Sequence, residues 1–162
     1  MLFRPSSSMM LVTEALMFFA FIVLVQGMAT PNPMTTAAEM SGEYPEKARG
    51  IQRITRHPGN FAFALFGIAN MLSNPYVGDW IFFGGFAVFG LASSMHQDRR
   101  TLAGGREEIA RFQADTSAFP FAAIITGRQR LALGEYSKGA LMVGILLGAV
   151  LGHFHANLFG GG

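Results

Sequence analysis

Cysteine is absent from the chain. Its absence excludes disulfides, thiolate metal sites, iron–sulfur clusters and cysteine nucleophiles. Charge is scarce as well: 14% of residues are Asp, Glu, Lys or Arg, where a soluble domain carries about a quarter. No phosphate-binding glycine loop, Ser/His/Asp arrangement or zinc-ligand spacing occurs, and nothing in the charge pattern points to nucleic acid. What fills the 162 residues is apolar: 51% hydrophobic, with 16 Phe, 20 Gly and 10 Met. That composition suits helices packed closely in lipid, and the length suits one domain.

Four apolar runs predict an all-α fold: a polytopic bundle of about four transmembrane helices in a single domain, 1–162. The spans are expected at about 9–26, 59–73, 76–95 and 139–159. The first is long enough for a hydrocarbon core of about 30 Å. With Glu14 inside it and no convincing cleavage site after it, it reads as a retained helix. Glu14 either snorkels to the interface or stands as an intramembrane carboxylate among helices. Pro58 fits the first turn of the second helix. The tight Ser73-Asn74-Pro75 turn makes the second and third helices an antiparallel hairpin, with Tyr76 and Trp80 as interface anchors. In the fourth run Ala140, Gly144, Gly148 and Gly152 recur every four residues. This stripe of small side chains admits another helix and is expected to dock further membrane subunits.

Two polar segments, 28–59 and 96–138, hold nearly all the cations, whereas the other side of a four-span arrangement has only Arg4. The asymmetry places both segments on the cytoplasmic, matrix or stromal side. The membrane is then a bacterial inner membrane, or an organelle inner or thylakoid membrane. The second segment includes a short amphipathic stretch ending near Phe112. It also carries the apolar patch Phe119-Pro120-Phe121-Ala122-Ala123-Ile124-Ile125, too short to span and expected at the interface or under the bundle.

Histidines lead the candidate functional residues. His57 and His96 fall at the basic ends of the hairpin helices, at one depth. They are read either as ligands of a shared metal or haem iron, or as interfacial histidines bonded to loop groups. His153 and His155 fall at the far end of the last helix, two residues apart and so on different faces, at the depth of Asn70. A cluster of Arg53, Arg56, Arg99, Arg100 and Arg128 suits anions or lipid headgroups. Asp98 is expected to pair with one of these arginines or with the His57 ring.

The blocks Gly50-Ile51-Gln52-Arg53-Ile54-Thr55-Arg56-His57-Pro58, Asp98-Arg99-Arg100, and 116–130 with its Phe119-Pro120 and Arg128-Gln129-Arg130 resemble the NnrU family. That family includes 15-cis-zeta-carotene isomerase. The likeness covers about 50–162, and the preceding residues look like the last of several earlier spans, as in a chain truncated at its N-terminus. The resemblance implies a multi-span membrane protein. In the isomerase it implies a haem b assisting a carotenoid cis–trans isomerisation, and in bacterial members a link to nitrite and nitric oxide metabolism. By these motifs His57, His96 and His155 match family positions. Two departures weaken the catalytic reading: Asn70 stands where relatives carry His, and Phe89 and Gly90 stand where the isomerase has a histidine pair. A weaker resemblance, through Arg56-His57-Pro58, is to isoprenylcysteine-type membrane methyltransferases, without the tail that completes their S-adenosylmethionine site. Three readings follow: a haem-associated isomerase-like or redox-linked protein, a non-catalytic accessory subunit of a larger respiratory or photosynthetic membrane complex, and a methyltransferase-like protein.

Overall fold

A computed structural model of the chain describes residues 1–42, 44–45 and 47–159, with the backbone alone for 155–159. Among the described residues there are seven α-helices and no strand: α1 (Ser7–Ala29), α2 (Thr36–Ser41), α3 (Pro58–Ser73), α4 (Val77–Ala103), α5 (Glu107–Asp115), α6 (Ala122–Ile125) and α7 (Lys138–Phe159). Short 3₁₀ turns lie at Gly50–Arg53 and Leu133–Glu135. The all-helical expectation holds.

Local chemistry explains where the long helices begin and end. The Ser6 hydroxyl accepts from the Met9 amide and caps α1. Pro58 opens α3, where its missing N–H leaves no helical bond unmade. The hairpin turn closes on the Asn74 side chain, which donates to the Asn70 carbonyl at 2.9 Å. One boundary differs from expectation. The third run loses its hydropathy after Met95, yet α4 continues to Ala103. Its extra turns carry Gln97, Asp98 and Thr101, whose side chains meet polar groups of the 30–57 segment and of α5.

The long helices form a row, with α1 packed on α3 and α7, and α3 packed on α1 and α4. Small residues allow the approach. A Cβ on Gly90 of α4 would lie 2.6 Å from the Asn60 carbonyl of α3, and one on Gly144 of α7 would lie 2.8 Å from Ile22 Cα of α1. On α7, Ala140 is buried, Gly144 faces Ile22, Gly148 faces the Phe18 ring, and Gly152 meets nothing. The expected docking stripe is therefore filled by α1 of the same chain along most of its length.

Two of these helices, α1 and α4, are long and apolar enough to cross a membrane. Only 17% and 11% of their apolar windows are buried in the chain. At 16 residues α3 is shorter, about 24 Å at 1.5 Å per residue. Residue contacts place the C-terminal end of α1, the start of α3, the end of α4 and the start of α7 together. Gln26 bonds both backbone groups of Ser137, Gly27 abuts Pro58, and Asp98 meets His57. The two basic segments thus share one end of the row and interlock there as a polar cap. At the opposite end the Leu2 amide donates to the Pro75 carbonyl.

Within the cap lies a small second core of Met34, Ala48, Ile109 and Phe112. The main core joins α1 and α3 to the 3₁₀ turn through Ala20, Val23, Ile51, Ile54, Ala62 and Leu65.

Candidate functional site

His57 is the residue before the first turn of α3, with φ −119° and ψ 62°. The following proline disfavours the helical region for this residue, and the imidazole meets Asp98 of α4. The ring is 4% exposed and its Nε2 lies 2.7 Å from Asp98 Oδ1. Arg56 grips the same carboxylate with a fork, Nε to Oδ1 at 2.9 Å and Nη2 to Oδ2 at 2.7 Å. Its remaining Nη1 donates to the Gln113 carbonyl at 3.0 Å. Asp98 thus meets both partners that the sequence offered as alternatives.

The surrounding loops hold this triad rigidly. The Arg56 amide donates to the Ser117 carbonyl, and the Asn32 side chain donates to the Arg56 carbonyl at 2.9 Å. Thr55 Oγ1 takes a bond from the His57 amide and donates to the Ala118 carbonyl. Gln113 reaches across to the Asp98 carbonyl and to Thr101 Oγ1, each at 3.1 Å.

Beside the triad opens a cleft of about 1010 Å³ between the end of α1, the 30–45 segment and the start of α3. His57, Arg56, Asn60, Gln97, Asn32 and Tyr44 line it, together with apolar Leu24, Met28, Pro31 and Pro58. The second ring nitrogen of His57, Nδ1, has no hydrogen-bond partner among the described residues. Among the described residues of the lining Arg56 alone is charged, and Asp98 pairs with it. The Tyr44 hydroxyl is buried without a hydrogen-bond partner among the described residues, and Arg106 stacks on its ring at 4.6 Å.

The other expected site residues are dispersed. His96 is exposed. It precedes Asp98 by two residues, about 200° around the helix, so it faces away from the carboxylate that holds His57. The structure does not bring this pair together, because helix phase separates two residues of equal depth. His153 is exposed at the opposite end of the row, its ring edge-on to Phe154. The side chain of His155 lies outside the described residues. Asn70 donates to the Phe66 carbonyl at 2.8 Å and touches Met17 of α1. Glu14 is exposed on α1.

Nor do the arginines form one anion site. Arg53 is clamped to Glu135, Nη2 to Oε1 at 2.6 Å and Nε to Oε2 at 2.8 Å. Arg100 pairs with Glu39 at 3.1 Å, and Arg128 donates to the Ala114 and Thr116 carbonyls. Arg99 is exposed and makes no ion pair among the described residues. The Arg53 bonds, with the Gly50 amide donating to the same carboxylate, bring Glu135 down to about 2. Glu135 in turn raises Arg53, while burial raises the neighbouring Tyr136 phenol.

Sequence reasoning missed Asn32, Tyr44, Asn60, Gln97 and Gln113. Only Asn60, three residues after His57 and so on the same helical face, carries a usable signal. A haem held between His57 and His96 does not fit this geometry. A group held by one imidazole does: a ligating histidine ordinarily gives its other nitrogen to a carboxylate, as His57 does to Asp98. Among the described residues no cluster of three or more His, Asp or Glu is set to hold a metal ion.

Comparison with curated proteins and with solved structures finds no match. The family model described as NnrU protein matches residues 1–161, so the likeness extends upstream of position 50 to take in α1 and the 30–45 segment. The chain belongs to the NnrU family.

Proposed function

We propose that the protein is an integral membrane protein of the NnrU type, with α1, α3, α4 and α7 standing in the bilayer and the His57 cleft as its ligand site. The long apolar faces of α1 and α4, little buried by the chain itself, are what lipid would cover. The basic segments at the cleft end favour the cytoplasmic, matrix or stromal side by the positive-inside bias, in a bacterial inner or an organelle membrane.

One observation carries the site: a buried imidazole with one nitrogen fixed by Asp98 and the other without a partner, on a cleft large enough for a sizeable ligand. In this reading His57 would hold a haem iron through its free ring nitrogen, with no second histidine. A haem held there would supply an iron centre for isomerase-like or redox-linked chemistry. Asp98 fixes the ring orientation, and the Arg56 fork holds Asp98 in place. Asn60, Gln97 and the Tyr44 hydroxyl offer polar contacts to whatever fills the cleft.

The test is an absorption spectrum of the purified protein, oxidised and reduced. The wild type should show a Soret band that His57→Ala abolishes and His96→Ala leaves unchanged. Loss of the band in both variants would restore a two-histidine site.

A colourless wild type would leave the second reading, a non-catalytic structural subunit of a larger membrane complex. The saturation of Arg56 and Asp98 by internal bonds favours it, because a lock of that kind needs no ligand. The methyltransferase-like reading predicts binding of S-adenosylmethionine, and calorimetry that detects none would remove it.

A further inference from the structure

The segment 119–133 of the cap has an unusual surface. Its short helix α6 buries Ala123 fully and packs Ile124 onto the core shared by α1 and α3. The next residue, Ile125, is 82% exposed. Phe119, Phe121 and Leu133 are exposed as well. Phe121 is the one non-glycine residue with positive φ among the described residues, at φ 64° and ψ −9°. Its amide is tied to the Ile54 carbonyl at 2.8 Å. A bulky side chain held in the left-handed region is strained and persists only where the surroundings impose it. Here the strained turn leaves an aromatic ring outside the fold rather than in its core.

Cations without acidic partners border the patch. Arg130 is exposed and makes no ion pair among the described residues. Among the described residues Arg128 bonds to carbonyls and to the Thr126 hydroxyl and meets no carboxylate. The level of the patch is fixed by its ties to the rest of the chain. Ile54 lies one turn before α3 begins, and Gln129 bonds back to Ala123 beside the start of α7. This is where the apolar helices give way to the polar cap.

We infer that residues 119–133 form an interfacial membrane anchor, with Phe119, Phe121, Ile125 and Leu133 seated among the acyl chains and Arg128 and Arg130 on anionic lipid headgroups. Exposed aromatic and aliphatic groups beside unpaired arginines are what the headgroup boundary accommodates. The anchor would fasten the cap, and with it the His57 cleft, at a fixed depth. The inference rests on the reading that the long helices stand in the bilayer, and its test separates the two.

Because the chain lacks cysteine, single spin labels go on cleanly at Ile125→Cys, at Val88→Cys on the exposed face of α4 and at Glu108→Cys on α5. In proteoliposomes containing anionic lipid, relaxation by oxygen and by a water-soluble nickel chelate is compared at each site. The labels at 88 and 125 should favour oxygen severalfold, and the label at 108 should favour nickel. A label at 125 that behaves like 108 while 88 favours oxygen overturns the anchor and leaves the patch to a protein partner. Nickel access at 88 as well overturns the bilayer reading itself, and the anchor falls with it. Exchanging anionic for zwitterionic lipid, or Arg130→Gln, should lower the oxygen preference at 125 severalfold. No change in either case removes the headgroup contact.

Discussion

Where α1 meets α7 and α3 meets α4, the contact is made by the absence of side chains: Gly144 against Ile22, Gly148 against Phe18, Gly90 against Asn60. In the cap at the end of the same helices, neighbours are joined by Arg, Asp, Gln and Thr bonded to one another and to loop carbonyls. The two regions therefore fail differently. In the row, specificity is steric and an added methyl is the damaging change. In the cap, it comes from polar satisfaction, and the damaging change leaves a partner unpaired.

The largest effect is expected at Asp98. Asp98→Ala leaves the Arg56 guanidinium and the His57 ring, with side chains 12% and 2% exposed, without their shared carboxylate. Stranding one partner of a buried ion pair costs about 3–5 kcal/mol. His57→Ala keeps Arg56 paired, so it should cost about 2 kcal/mol, the scale of a hydrogen bond to a charged group. Unfolding titrations in detergent would compare them. Equal losses would mean that Asp98 serves mainly the histidine, and that the Arg56 fork contributes little to the cap.

Next come the glycines whose added Cβ would strike backbone. Gly90→Ala and Gly144→Ala meet the Asn60 carbonyl and Ile22 Cα, which move only if a whole helix moves. Overpacking of this kind costs about 1–3 kcal/mol. Gly148→Ala meets the Phe18 ring, a side chain able to rotate, and should cost less. Thermal melts in which Gly148→Ala loses more stability than Gly144→Ala would argue against the α1–α7 register.

The Arg53–Glu135 clamp ties the cap to the start of α7, and its effect is pH-dependent. Glu135 is lowered to about 2 from an ordinary 4.5 by its Arg53 and Gly50 bonds. A depressed carboxylate contributes stability that is present above its unfolded value and lost as pH falls through its folded one. The window is thus about pH 4.5 down to 2. Both side chains are partly exposed, so the gain is small and screened by salt. A carboxyl carbon titration of Glu135 should show a midpoint near the bottom of that window, moving up toward the ordinary range in Arg53→Ala, with the Gly50 bond holding it partly down. An unshifted midpoint in the intact protein would exclude the clamp in solution.

The row was more legible in the sequence than the cap. Hydropathy located all the long helices, and the cation count put both polar segments at one end, because both signals record the surroundings of a stretch averaged over many residues. The same averaging ended the third helix at Met95. Hydropathy registers that Gln97, Asp98 and Thr101 leave the apolar environment, not that the backbone stays helical. His57 and Asp98 were both visible as candidates, yet His96 was paired with His57 on depth alone, when its phase relative to Asp98 turns it away. The glycine stripe announced that a helix packs on α7 and carried no information about which one. Asn32 in a loop and Gln113 on the short α5 acquire meaning only from distant carbonyls, and Tyr44 only from the cleft it lines, so no local pattern marks them.

The smallest expected effect is at the end of that stripe. A Cβ on Gly152 would meet nothing within 4 Å, unlike those on Gly144 and Gly148. In the isolated chain Gly152→Ala should therefore be neutral or stabilising by up to about 1 kcal/mol, through the better helix propensity of alanine. The same substitution becomes informative inside a larger assembly. If a partner helix continues along α7 where α1 leaves it, Gly152→Ala should weaken co-purification while leaving the melt of the isolated protein unchanged. If neither readout moves, the stripe serves only the α1–α7 contact of this chain, and any partner must bind another face.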